Sequence, residues 1–196
     1  MLYLVRHGRT DANKQGLLQG RLDPPLDELG RRQAEAMARR VGAVDQVIAS
    51  PLVRAQETAR YFDAEIVTDE RWLELAYGEY EGVPVGEVPP DVWQSWRTNT
   101  EFSTKGGESF GSLDARVRSA CIELVDRIST ENIVVVSHVS PIKSAVSWAL
   151  NATMEIMFHC HLSHASLCRI DAGRFGPVLH TFNEQAIVEP IEEIRS

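Results

Sequence analysis

Cysteine is scarce in this chain and irregularly placed. The 196 residues include three cysteines, Cys121, Cys160 and Cys168, and no two of them form a Cys-x-x-Cys pair. An odd number of widely spaced cysteines does not make a disulfide framework, and a zinc knuckle needs closely spaced pairs. The cysteine pattern therefore argues against both kinds of scaffold.

Runs of basic residues and long apolar segments are missing as well. The net charge is −8 and no Lys/Arg run of useful length occurs, which argues against a general nucleic-acid binder. No basic-apolar leader precedes the first strand pattern, and no stretch is long enough to span a membrane as a helix. We therefore expect a cytoplasmic protein that contacts no membrane, in which any anion site is a local basic pocket.

The chain does contain enough apolar residues for a core, arranged as alternating strand and helix patterns. Hydrophobic residues make up 43% of the sequence. Apolar runs predict strands at residues 2–5, 44–49, 65–67, 133–136, 166–170 and 178–182. Amphipathic spacing predicts helices at residues 27–41, 52–62, 109–128 and 141–150, with Leu113, Val117, Ile122 and Val125 on the apolar face of the third. This alternation predicts a single α/β domain over residues 1–196, with a mostly parallel central sheet flanked by helices on both faces.

One segment departs from the alternation. Residues 76–109 are mixed in composition and contain Pro84, Pro89, Pro90 and the pair Gly106-Gly107. We interpret this stretch as an excursion from the sheet that holds a short helix around residues 93–96. Its place in the chain makes it the natural lid of a site at the sheet edge.

Two of the predicted strands end on a histidine. The strand at residues 2–5 continues into Arg6, His7 and Gly8, and the strand at 133–136 leads to His138. Open α/β sheets bind ligands at the carboxyl ends of their strands, so we expect His7 and His138 to lie close together. Gly8 would allow a sharp turn and the close approach of a ligand. On this stretch alone, His7 could equally be a surface histidine just past a strand end.

Two arginines add positive charge at the same edge. Arg6 precedes His7, and Arg54 lies near the start of a helix whose first turn would accommodate Pro51. The planar guanidinium group suits phosphate, and helix amino termini favour anions. Phosphoryl transfer needs one attacking group and further groups that neutralise the equatorial oxygens. The pattern therefore predicts a phosphoryl-transfer site with His7 as the nucleophile.

The same stretches carry a resemblance to a known family. Residues 4–10, Leu-Val-Arg-His-Gly-Arg-Thr, followed by Asn13, resemble the Arg-His-Gly signature of the histidine phosphatase (phosphoglycerate mutase-like) superfamily. Further blocks resemble the family pattern and occur in its order: Gln19-Gly20, Pro25-Leu26, Leu29-Gly30, and residues 49–59, 74–82, 106–109 and 136–138. Ordered blocks are far more specific than Arg-His-Gly alone.

The resemblance implies a role for six residues. His7 resembles the nucleophile that becomes a phosphohistidine, and Glu74 resembles the proton donor to the leaving group. The remaining members of the implied phosphate pocket are Arg6, Asn13, Arg54 and His138. We expect no metal and no cofactor, because arginines and histidines supply the positive charge.

Several residues have competing interpretations. Thr10 and Ser50 could support the pocket from behind or could serve local turn chemistry. Other glutamates compete with Glu74 for the acid role, namely Glu79, Glu81 and Glu108. A cluster of metal-ligand types, His159, Cys160, His161 and His164, is interpreted as surface and packing residues because no carboxylate lies at a suitable spacing.

The resemblance leaves three functions open. The first is a phosphomonoesterase that hydrolyses a small phosphorylated metabolite, and the alternatives are a cofactor-dependent phosphoglycerate mutase and a non-catalytic phosphate-binding module. The sequence Leu-Glu-Leu-Ala-Tyr-Gly at residues 73–78 resembles the phosphatase branch, and most relatives carry glycine where Val139 stands. The expected partner is a small phosphate ester, with no nucleic acid, and a homodimer is left open.

Overall fold

Six strands form one sheet in the computed structural model, which describes residues 1–188. The strands are β1 (Leu2–Arg6), β2 (Gln46–Ala49), β3 (Ile66–Thr68), β4 (Ile133–Ser137), β5 (Ser166–Asp171) and β6 (Val178–Gln185). Their spatial order is β3-β2-β4-β1-β5-β6. The first four are mutually parallel, whereas β5 runs antiparallel to β1 and β6 antiparallel to β5. The expected mostly parallel sheet is confirmed.

Six α-helices in the described part of the chain connect or flank these strands. They are α1 (Asp11–Lys14), α2 (Glu28–Val41), α3 (Val53–Ala59), α4 (Pro90–Thr98), α5 (Phe110–Val125) and α6 (Val139–Ala149). Asp27 caps α2 by accepting a hydrogen bond from the Gly30 N–H, and Ser109 caps α5 in the same way. Pro51 does not enter the first turn of α3 as expected, because it precedes the N-cap residue Leu52. No helix within residues 1–188 is long and apolar enough to cross a membrane.

Alternating strand residues build a core on each face of the sheet. Leu4 and Val135 point to the face covered by α5 and α6, whereas Val5 and Val136 point to the face covered by α2 and α3. Helices on both faces explain why the central strands are almost entirely apolar. The predicted apolar face of α5 is wrong at Ile122, which is 63% exposed. Cys121, one position earlier, is buried instead.

The excursion at residues 76–109 contains α4 and two short 3₁₀ helices, Gly78–Tyr80 and Val85–Glu87. It is anchored by Trp96, which is 2% exposed and belongs to the same core as α5 and α6. Tyr77, Tyr80, Trp93 and Phe102 pack edge-on around its indole. Aromatic packing around Trp96 therefore holds this part of the segment in place. The role of the segment as a lid stays a prediction.

Candidate active site

Parallel pairing of β1 with β4 brings the two predicted histidines to the same sheet edge. The strands are in register through the pair Arg6 and Ser137, so His7 and His138 leave the sheet side by side. Their ring centroids are 5.1 Å apart with planes inclined at 58°. Both residues are buried. The alternative of a surface histidine at position 7 is therefore wrong.

The imidazole of His7 is held in one orientation by its own backbone. Nδ1 lies 2.7 Å from the Gly8 carbonyl oxygen, to which a protonated Nδ1 donates. Burial, followed by the charges of Arg54 and Arg6, lowers the pKa of His7 well below its ordinary value. A neutral ring whose proton sits on Nδ1 has its lone pair on Nε2, which is the form needed for nucleophilic attack.

Gly8 serves backbone packing in this structure. A Cβ atom at position 8 would lie 2.2 Å from the carbonyl oxygen of Gly30 in α2, and one at position 30 would lie 2.0 Å from the carbonyl oxygen of Arg9. The Gly8 N–H donates to the hydroxyl of Thr58 on α3. The close approach that glycine permits here is thus between the His7 loop and α2.

Two arginine side chains bring positive charge that no carboxylate within residues 1–188 neutralises through an ion pair. Arg54, 1% exposed, donates to the carbonyl oxygens of Leu22 at 2.6 Å and Gly20 at 2.8 Å, and Arg6 donates to that of Leu162 at 2.6 Å. Burial lowers the pKa of each to about 10, so both remain charged at neutral pH. The Nε of each is buried without a partner. Buried donors of this kind call for an acceptor, and an anion would supply it.

His138 also has a buried side-chain nitrogen without a hydrogen-bond partner among the described residues. Its Nε2 lies 2.8 Å from the hydroxyl of Ser50, whereas its buried Nδ1 has no partner. Burial, followed by Arg54 and His7, lowers the pKa of His138 well below its usual range. Ser50 therefore orients His138 and leaves Nδ1 as the ring nitrogen without a partner among the described residues.

Thr10 and Asn13 form a reciprocal cap at the start of α1. The Thr10 hydroxyl accepts from the Asn13 N–H at 3.1 Å, and the Asn13 side-chain oxygen accepts from the Thr10 N–H at 3.2 Å. This pairing occupies the oxygen of the Asn13 amide and leaves its NH₂ group for the adjoining cavity, which Asn13 lines. Thr10 thus positions Asn13, as Ser50 positions His138.

Glu74 is held at the amino terminus of α6. Its Oε1 accepts from the N–H of Leu75 at 2.8 Å and of Ser140 at 3.2 Å, and its Oε2 accepts from that of Val139 at 3.1 Å. Helix amino termini bind carboxylates in this manner. The carboxyl group therefore faces the same cavity as His7 from a fixed position.

The three competing glutamates are occupied elsewhere. Glu108 forms ion pairs with Arg116 at 2.7 Å and Arg21 at 3.2 Å. Glu81 accepts from the backbone N–H of Arg21, and Glu79 from that of Lys105. None of them is part of the cavity wall, which favours Glu74 as the acid.

A cavity of about 300 Å³ joins these side chains. Five of the six residues implied by the family resemblance line it: Arg6, His7, Asn13, Arg54 and Glu74. His138 is not in the wall and lies beside His7. The wall also contains Tyr77 and Val85 from the segment predicted to be a lid, together with residues to which the sequence assigned no site role, among them Leu17, Val139 and His164.

His164 differs most from its expected role as a surface or packing residue. Burial, followed by Arg6 and Arg9, lowers its pKa to about 3, and its ring faces the cavity. No sequence signal distinguishes it from His159 or His161. Across the described residues, no group of three or more His, Cys, Asp or Glu side chains is gathered as a metal site would require.

Comparisons with known proteins identify the family and the fold of this chain. A family model described as histidine phosphatase superfamily (branch 1) matches residues 2–185. A crystal structure of a phosphoserine phosphatase mutant from Entamoeba histolytica in complex with phosphoserine is similar with a TM-score of 0.85 and 27% identity, covering 93% of this chain and 95% of that one.

Curated relatives are similar at somewhat higher identity. A bifunctional protein of Mycobacterium tuberculosis is 35% identical over 176 residues, which are 85% of this chain but 48% of that protein. The chain thus spans about half the length of this relative. A protein of Hydrogenobacter thermophilus that carries the name phosphoserine phosphatase 2 is 33% identical over 179 residues, 86% of this chain and 88% of that protein.

Proposed function

The chain belongs to the histidine phosphatase superfamily, branch 1, and on this basis we propose that it hydrolyses the phosphate monoester of a small metabolite through a covalent phosphohistidine. One observation carries the proposal. The buried, neutral imidazole of His7 shares a cavity with the guanidinium groups of Arg6 and Arg54 and with the carboxyl group of Glu74. Nucleophile, charge stabilisation and acid are then present in one place.

In the first step, Nε2 of His7 attacks phosphorus as the bond from phosphorus to the ester oxygen breaks. Glu74 gives its proton to that oxygen, so the alcohol leaves uncharged. The unpartnered Nε groups of Arg6 and Arg54 stabilise the charge that spreads over the equatorial oxygens. Nδ1 of His138 is the third such donor.

In the second step, water attacks phosphorus and the bond from phosphorus to Nε2 of His7 breaks. Glu74, now a carboxylate, takes the proton of the attacking water. Inorganic phosphate is released, the imidazole returns to its neutral form and Glu74 is again protonated. The three backbone N–H groups around Glu74 suit its carboxylate form between the two steps.

Brief exposure to ³²P-labelled substrate followed by quenching tests the intermediate. Wild-type protein should carry an acid-labile, base-stable label, whereas His7→Ala should carry none and should not turn over. His180→Ala is the matched control, since His180 is exposed on β6 and pairs with Asp171 at 2.6 Å. Label that persists in His7→Ala would overturn the proposal.

Labelled substrate also distinguishes the proposed phosphatase from the two alternative functions. A phosphoglycerate mutase would transfer label to another hydroxyl of a phosphoglycerate and would depend on 2,3-bisphosphoglycerate, whereas a binding module would retain phosphate without turnover. A cytoplasmic location, a homodimer and the absence of nucleic-acid binding stay predictions. Cell fractionation, analytical ultracentrifugation and a binding titration with duplex DNA would test them in turn.

A further inference from the structure

The charges and walls of the cavity restrict the alcohol part of the substrate. We infer that, within the phosphatase activity proposed above, this chain prefers phosphate esters of uncharged alcohols with an apolar face over esters whose alcohol part carries a carboxylate. The inference rests on that proposed function and narrows its substrate class. It sets the chain apart from relatives whose names specify phosphoserine, because phosphoserine carries a carboxylate.

The fixed charges of the cavity wall are already used by the phosphoryl group. Arg6 and Arg54 line the cavity together with His7, so their guanidinium groups are the cations available to the phosphoryl group that His7 attacks. Glu74 is the acidic residue of the wall. With Glu74 protonated, as the first step requires, two guanidinium charges facing a bound phosphate dianion leave no excess positive charge. A carboxylate on the alcohol part of a substrate would therefore find no free cation among the described residues of the cavity wall to offset its loss of hydration.

The two histidines of the cavity wall, His7 and His164, add no positive charge at neutral pH. Burial, followed by Arg6 and Arg9, lowers the pKa of His164 to about 3, and Asp27 and His161 are the other titratable groups that influence it. Burial and the neighbouring guanidinium charges keep His7 neutral as well. At neutral pH neither ring offers a cation to the alcohol part of a substrate.

Three further basic side chains have partners of their own and are not part of the cavity wall. Arg9 pairs with Asp27 at 2.6 Å, and Arg21 pairs with Glu108 at 3.2 Å. Lys143 donates to the carbonyl oxygen of Met157 at 2.9 Å. Within residues 1–188, the lysine and arginine side chains that line the cavity are Arg6 and Arg54 alone.

Apolar side chains form much of the wall outside the phosphoryl ligands, which also contains Gly16, Gln19, Gly20 and His164 but, in the described part of the chain, no further charged group. Leu17, Leu18, Val85 and Val139 line it together with Tyr77. The Tyr77 ring packs edge-on against Trp96 with centroids 5.5 Å apart, so this surface is preformed. An alkyl group buried against it should improve binding by about fourfold per methylene, from the usual transfer free energy.

A pair of substrates with one carbon skeleton tests the inference. sn-Glycerol 3-phosphate and D-3-phosphoglycerate differ in a hydroxymethyl group against a carboxylate. We expect kcat/KM to favour glycerol 3-phosphate by tenfold or more, and to rise from n-propyl to n-pentyl phosphate. Equal or better turnover of 3-phosphoglycerate would overturn the inference while leaving the phosphatase proposal intact. If the protein hydrolysed none of these esters and also failed to hydrolyse p-nitrophenyl phosphate, the phosphatase proposal itself would be overturned.

A lysine added to the cavity wall tests whether the lack of further positive charge causes this substrate preference. Val85 is 45% exposed, so Val85→Lys places an ammonium group at the cavity without burying it fully. This variant should raise kcat/KM for 3-phosphoglycerate relative to glycerol 3-phosphate by about tenfold. Ile122→Lys adds the same charge on α5, outside the cavity wall, and should leave the ratio unchanged. An unchanged ratio in folded Val85→Lys would contradict the inference.

Discussion

Replacing Glu74 by glutamine should slow the protein in a way that depends on the leaving group. The substitution keeps the shape of the side chain and removes the proton donor. An alkyl phosphate leaves as a strongly basic alkoxide, and its turnover should fall about 10²–10⁴-fold, the usual span for general acid catalysis. That loss corresponds to roughly 3–5 kcal/mol in the barrier. An aryl phosphate with an acidic phenol needs little protonation and should lose far less.

The structure adds a second effect that must be separated from the first. Both oxygens of Glu74 accept backbone N–H groups, so the amide nitrogen of glutamine would face the N–H of Val139 or Ser140. One N–H then loses its acceptor, at a cost of about 1–3 kcal/mol in the free energy of unfolding. A lower melting temperature is therefore expected. Because this cost is common to all substrates, the ratio of alkyl to aryl rates isolates the proton transfer.

The assay is steady-state kcat/KM for an alkyl and an aryl phosphate in the wild type, Glu74→Gln and Glu79→Gln. Glu79 is the matched control, since it accepts from the Lys105 N–H and is not part of the cavity wall. A wild-type ratio in Glu74→Gln would refute the reasoning, and a collapsed ratio in Glu79→Gln would reassign the acid. Neither result would affect the assignment of His7.

Further predictions concern packing, protonation, orientation and metals. Gly30→Ala should lower the free energy of unfolding by about 1–3 kcal/mol, because its Cβ would meet the Arg9 carbonyl oxygen. Gly86→Ala has open space around it and should leave the free energy of unfolding unchanged. Denaturant titration measures both variants. The lowered pKa of His7 means that its ring stays neutral as the pH falls through 6.5 and charges only well below it, which NMR titration would show. Ser50→Ala leaves Nε2 of His138 without its partner and should reduce kcat/KM for p-nitrophenyl phosphate about tenfold. Ser95→Ala on α4 is the control, because the Ser95 hydroxyl donates to the Asp91 carbonyl oxygen and Ser95 is not part of the cavity wall. EDTA should leave kcat unchanged, and loss of activity that a divalent cation restores would contradict the expected metal independence.

Strand ends were the part of the site that the sequence could predict. Apolar runs of four residues, 2–5 and 133–136, define the five-residue strands β1 and β4 almost to the residue, and parallel strands bring the residues after their last positions to one sheet edge. The pairing of His7 with His138 is therefore a consequence of local pattern and of sheet topology. The apolar face of α5 was less certain, because adjacent positions on a helix are only 100° apart and Cys121 could replace Ile122 on the buried side.

The remaining walls of the cavity come from segments without periodicity. Tyr77, Val85 and His164 lie in loops or 3₁₀ turns, where conformation depends on tertiary packing rather than on local propensity. The exposed ring of His159 and the cavity-facing ring of His164 are five residues apart in one such segment. Only the fold distinguishes them, so the sequence could indicate a phosphoryl pocket and a lid segment that contains Tyr77 and Val85, but not the place of His164 in the wall.

The junction between β4 and α6 explains how a loop residue can serve as a precisely placed acid. Ser137, the last residue of β4, donates from its hydroxyl to the carbonyl oxygen of Trp72 at 2.7 Å, which fixes the segment that leads to Glu74. His138 is the N-cap residue of α6, and the first N–H groups of that helix hold the Glu74 carboxylate. One strand-to-helix turn thus positions both the acid and a donor of the phosphate pocket. A shift of this turn would displace the two together, so their geometry relative to each other is protected by the same hydrogen bonds that stabilise the helix start.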